Sequence, residues 1–107
     1  MELADKEAGE AAEPIIHLAY YAMLHAAAAV LIERTGQAPK THGSVIRQFS
    51  RQVASTERGR QLARAFNHAE EDRLLADYDD ETRPSGEAAA RLRDTAREFV
   101  AYCRSLL

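Results

Sequence analysis

Three groups of side chains have the types and spacing to do chemistry. In RLLADYDD, Arg73–Asp80, an arginine is followed after three residues by Asp77 and then Tyr78. On a helix, Arg73 and Asp77 share a face and can pair across one turn. One reading makes them a helix-terminal ion pair with Tyr78 as a packing anchor. The other makes Arg73 a phosphate hook in a cleft, with Asp77 orienting it and Tyr78 lining the floor. Spacing alone leaves both open. His17, Tyr21 and His25 recur every fourth residue in HLAYYAMLH. The two histidines are roughly 12 Å apart along a helix axis, too far for one ion, so hydrogen bonding at a helix interface is expected of them. Arg64 and His68, one turn apart in RAFNH, fit either a shared phosphate or an ordinary solvated face.

Neither metal nor cofactor is expected. The sequence has no Gly-rich phosphate loop, no CxxC pair and no HExxH arrangement. Its single cysteine, Cys103, excludes an internal disulfide and a zinc site of the usual kind, and reads as a small buried apolar group.

The elements that must position these residues follow from periodicity. Ile15–Ile32 is apolar on nearly every side, which predicts a central helix enclosed by the others. Pro14 suits its first position and Gly36 its end, leaving residues 1–13 as a polar, frayed N-terminus and 14–107 as one domain. After a loop broken by Pro39, Thr41 or Ser44 caps a second helix bearing Val45, Ile46, Phe49 and Val53 and ending near Ser55. A third, from about Glu57, carries Leu62, Phe66, Ala69 and Arg73 on one stripe. An arginine on an inward line requires a partner. Asp77–Gly86 reads as a helix end and loop, with Ser85 capping a last helix whose seam is Ala89, Leu92, Ala96, Phe99, Cys103 and Leu106. With no strand pattern in the sequence, the fold class is all-α, an antiparallel bundle of about four helices.

The net charge of −3 hides an asymmetry. From Arg34 to Arg64 seven basic residues face Glu57 alone, and from Ala65 to Glu81 seven acids face Arg73. A basic middle attracts a polyanion or an acidic partner, or is a solvated face. The acidic start is the reverse of a secretory leader, and one cysteine fits a reducing compartment, so a cytoplasmic protein is expected. Ile15–Ile32 approaches bilayer-spanning length, but its histidines, tyrosines and alanines favour a core helix over a membrane one.

Three stretches in order, YYAMLHAA at Tyr20–Ala27, KTHGSV at Lys40–Val45 and RLLADYDD at Arg73–Asp80, resemble the HEPN domain family, in particular its small stand-alone prokaryotic branch. The resemblance implies a helical, usually dimeric bundle. It further implies the toxin side of a pair with a minimal nucleotidyltransferase antitoxin, often a metal-independent endoribonuclease. In active relatives an arginine binds phosphate and a histidine four to six residues later does acid–base work. Arg73 matches the arginine. Asp77 stands in the histidine's place and Tyr78 follows, so the motif is degenerate, because a carboxylate repels a phosphodiester and is a poor acid at neutral pH. The expected site is therefore Arg73, Asp77 and Tyr78, with Lys40, His42, Arg47, Arg51 and Arg64 contacting RNA phosphates. The alternative is a non-catalytic scaffold for a nucleotidyltransferase, and the resemblance further implies that this partner could modify Tyr78, since tyrosines beside this motif are targets in some HEPN relatives. Relatives also carry a helix upstream of the YYAM helix and often an arginine where Leu18 stands. A bundle short of that wall exposes apolar surface, and a homodimer is expected to cover it.

Overall fold

Side-chain caps divide the chain into four helices: α1 (Glu2–Thr35), α2 (His42–Gln52), α3 (Glu57–Ala76) and α4 (Gly86–Leu106). The computed structural model describes residues 2–77 and 84–107, with the backbone alone for residues 2–11. Thr41 Oγ1 accepts the Ser44 N–H at 3.1 Å, Thr56 Oγ1 accepts that of Gly59 at 3.0 Å, and Ser85 Oγ accepts that of Ala88 at 3.1 Å. Each satisfies a donor that the first helical turn leaves without a partner. Gly36, at φ 79°, closes α1 in the left-handed conformation that a side chain would disfavour.

The first helix departs from expectation. It begins at Glu2, so Pro14 lies inside it and not at its first position. The preceding ELADKEAGEAAE is rich in alanine and glutamate, both strong helix formers. Ala12 and Ile16, flanking Pro14, are both buried in the core and hold the helix on either side of the missing N–H.

α3 runs antiparallel to α1, with Asp77 beside His17 and Arg73 beside Tyr20. α2 starts against Tyr20 and Tyr21, through His42, and ends where Arg34 Nη1 donates to the Gln52 carbonyl at 3.0 Å. The Gly36–Thr41 connection therefore folds back along the bundle, and α2 then climbs beside α1. At the centre, each helix contributes one ring. Phe66 of α3 lies 6.1 Å from Tyr20 of α1, 6.1 Å from Phe49 of α2 and 5.1 Å from Phe99 of α4, centroid to centroid. All four are fully buried. Cys103 is buried at the same core, and loss of water pushes its thiol up to about 12.

Ala12–Thr35 is long and apolar enough to cross a bilayer by length and composition, yet Tyr20, Met23, Ala27, Val30 and Leu31 on it are all within the core. Enclosure of α1 is nevertheless incomplete. Leu18 is 73% exposed, and with Ile15, Ala19 and Ala22 it faces Ala96, Val100 and Ala101 across an open apolar groove. Three helices cannot wall in a fourth on every side, and the outer face of α1 and α4 is the side left over.

The α2–α3 corner depends on a missing side chain. A Cβ on Gly59 would approach Val53 Cβ to 2.8 Å and Thr56 Oγ1 to 2.9 Å, and would meet the Val53 carbonyl still more closely. Gly59→Ala is therefore expected to destabilise the protein by about 1–3 kcal/mol despite alanine's better helix propensity. Urea denaturation would read this as a lowered midpoint, and an unchanged midpoint would show that the corner relaxes freely.

Candidate functional site

Arg73 does point inward, as its place on the α3 stripe predicts, and it finds its anion there. The anion is Glu70. Arg73 Nη2 donates to Glu70 Oε1 at 2.6 Å and Nε donates to Oε2 at 3.3 Å, a forked pair one helical turn apart. The two side chains are 16% and 21% exposed. On its other side the guanidinium lies over the Tyr20 ring, 4.9 Å from the centroid. The Glu70 hydrogen bonds raise the pKa of Arg73 against the opposing effect of burial. Burial works to raise that of Glu70, but the Arg73 donors, Tyr20 and the nearby charges of Arg73 and His42 outweigh it and hold the carboxyl below its ordinary range. Tyr20 Oη is buried without a well-formed hydrogen bond. Burial first, and the Glu70 carboxylate second, push its pKa up.

The expected Arg73–Asp77 pair is therefore replaced. α3 ends at Ala76, and Asp77 is its exposed C-cap. From there its carboxylate turns to α1, where Oδ1 lies 3.3 Å from His17 Nε2. Glu70, at i−3 and still within the helix, takes the arginine instead. Tyr78, the third expected member, lies outside the described residues.

Glu13 Oε1 is 3.9 Å from the same His17 nitrogen, and one ligand atom from each of Glu13, His17 and Asp77 falls within 4.8 Å of the others. This is the set among the described residues with the chemistry to hold a divalent ion, though the His17–Asp77 contact between α1 and the end of α3 already accounts for its closeness. His25, two turns up from His17, is not part of it; its ring lies tilted against that of Tyr21, 6.5 Å between centroids. His42 packs its ring against Tyr20 and Tyr21 at 5.7 and 5.8 Å, on the edge of the Arg73 cluster. His68 Nδ1 lies 3.4 Å from a Glu71 carboxylate oxygen on the exposed face of α3.

The remaining basic residues assemble along the α2–α3 seam. Arg47 and Arg51 line a cleft with Gly43, Ile46, Ser50, Asn67 and Glu70. Arg60 and Arg64 line a second, which shares Ser50 and Asn67 with the first. The two form one groove with four exposed arginines along it. Arg47 donates to Ser44 Oγ and Arg60 to the Ala54 carbonyl, at 3.1 and 2.8 Å, and none of the four is ion-paired to a carboxylate among the described residues. Lys40 sits exposed in the preceding loop, outside the groove lining. Asn67 and Glu70 are the members that sequence reading missed, while Arg60 was counted only within the basic stretch from Arg34 to Arg64. The i−3 spacing of an acid before Arg73 was the available signal for Glu70. For Asn67 there was none, because the crossing of α2 over α3 decides which of many polar residues meet.

Among protein-family models, that of the HEPN domain matches residues 6–106. No curated protein and no solved structure matches the chain.

The lowered pKa of Glu70 sets a pH dependence. Its stabilising effect is full above the ordinary carboxylate range and fades as pH falls through the lowered folded-state value. Stability measured by urea denaturation from pH 7 downwards is expected to fall in the wild type, and to fall less steeply in Glu70→Gln, which has no proton to take up. Parallel profiles would show that the pair contributes no acid sensitivity.

Proposed function

Because the chain belongs to the HEPN domain family, we propose that it is the HEPN component of a prokaryotic, cytoplasmic pair with a minimal nucleotidyltransferase, directed at RNA. The observation that carries this reading is the α2–α3 groove, whose four exposed arginines stand on a chain of net charge −3. Arginines spaced along two crossing helices neutralise successive phosphates without reading bases. The groove grips the polyanion, and Arg73, satisfied by Glu70, is not the principal hook. Cleavage without metal would need an acid–base group at Arg73. Asp77, engaged with His17 on α1, does not supply one, so binding is the activity this geometry favours over an endoribonuclease.

A second reading, a non-catalytic scaffold for the nucleotidyltransferase, is favoured by the same satisfied Arg73. Apart from either reading, α1 and α4 leave an open groove of about 430 Å³. A second copy of the chain is the occupant proposed for that groove. Arg93, Arg97 and Arg104 rim it, while residues 2–13 carry five acids against Lys6. The first turns of a partner's α1 thus have the complementary sign.

Fluorescence anisotropy with a labelled single-stranded RNA tests the first reading. Arg51→Ala combined with Arg64→Ala is expected to weaken binding more than Arg73→Ala does, and to flatten the salt dependence by roughly 0.7 for each arginine–phosphate pair removed. Metal-free RNA cleavage is expected to be equal in wild type and Arg73→Ala. Binding untouched by the double substitution would remove the groove from the account. Light scattering after size exclusion tests the dimer: the wild type should run at twice 11.9 kDa and Leu18→Lys as a monomer. A wild-type monomer at micromolar concentration would refute it.

A further inference from the structure

We infer that the Glu70 carboxylate occupies the forked face of Arg73 in place of a phosphate, closing that arginine to free phosphate and leaving it to a phosphodiester chain already held along the α2–α3 groove. The first half stands on the geometry of the pair; the second rests on the RNA-binding reading above. A carboxylate and a phosphate offer a guanidinium the same pair of oxygens, and the Nε–Nη2 edge of Arg73 is taken up by both oxygens of Glu70. The arginine cannot turn away to find another anion, because the Tyr20 ring lies against it at 4.9 Å and the side chain is 16% exposed. An incoming anion that would take the Nε–Nη2 edge must therefore displace Glu70 where it stands.

Glu70 is placed to be displaced from one direction. It also lines the first cleft of the groove, alongside Arg47 and Arg51. An isolated phosphate arriving there meets a carboxylate already in possession and gains one new partner by evicting it. A chain gripped by Arg47, Arg51 and Arg64 instead presents its next phosphate at an effective concentration on the order of millimolar, without further translational cost. Glu70 then discriminates between a polyanion and the small phosphates that outnumber it in a cell.

Calorimetric titration of the full chain with inorganic pyrophosphate tests the first half without using RNA. Glu70→Gln, which keeps shape and removes charge, is expected to bind pyrophosphate at least about tenfold more tightly than wild type. Adding Arg73→Ala should abolish the gain. Equal affinities, or a gain that survives Arg73→Ala, would overturn the inference. The Arg73 Nε–Hε resonance of the wild-type protein gives a reading that needs no variant: pyrophosphate should leave it unmoved and a single-stranded RNA should shift it. A shift with pyrophosphate would overturn the exclusion, and bound RNA that leaves the resonance still would overturn the displacement. Failure of the groove reading shows separately, as RNA binding indifferent to Arg51→Ala and Arg64→Ala.

Discussion

The interaction on which the rest of the structure depends is the meeting of four rings at Phe66. A bundle whose helices are held by many alanines has few side chains large enough to lock their mutual positions, and here each helix supplies one. Phe49, Phe66 and Phe99 close three of the helices on one another, and Tyr20 ties in α1. Aromatic groups bury a large area at little conformational cost, and their edge-to-face preferences restrict the angles at which the helices can cross. Those angles in turn bring α2 over α3 with Arg47 and Arg51 on one wall of the groove and Asn67 on the other.

Tyr20 connects that core to the polar cluster. Its ring belongs to the interior, while its face carries the Arg73 guanidinium and its hydroxyl lies under the influence of Glu70. An isolated arginine at such a position would be costly to desolvate, and a carboxylate without it equally so. Together they form a locally neutral unit that can be largely buried. Neutralising Arg73 inside the protein also separates two roles that a single arginine would otherwise combine. The exposed arginines of α2 and α3 provide long-range attraction, and Arg73 is kept out of that field by its own partner.

The outer surface divides along the same lines. Where α2 crosses α3 the surface is basic and grooved. On the opposite flank, the groove between α1 and α4 is apolar at its floor and arginine-rimmed. Leu18 is exposed there because the aromatic cluster draws the other face of α1 inward. A helix apolar all round, packed by three neighbours, must leave some of that surface uncovered.

Much of this was legible in the residues themselves. Helix number, the caps at Thr41 and Ser85, the stripes of α2, α3 and α4 and the inward line of Arg73 follow from periods and turn chemistry, which are local properties of a chain. The extent of α1 was not legible, because Pro14 reads as the first residue of a helix, a boundary that burial of Ala12 and Ile16 overrides. Nor could spacing choose between Asp77 and Glu70 as the partner of Arg73, since both lie within about a turn of it. Tertiary structure decided that choice: Tyr20 of α1 packs against the guanidinium, Glu70 closes over it, and His17 of the same helix draws Asp77 away. The sequence by itself determined which residues form α2, α3 and α4 and which helix faces are apolar. Which charges meet was decided by helices crossing in space, because an ion pair needs a few ångströms of proximity and the linear order of residues does not specify that distance between elements.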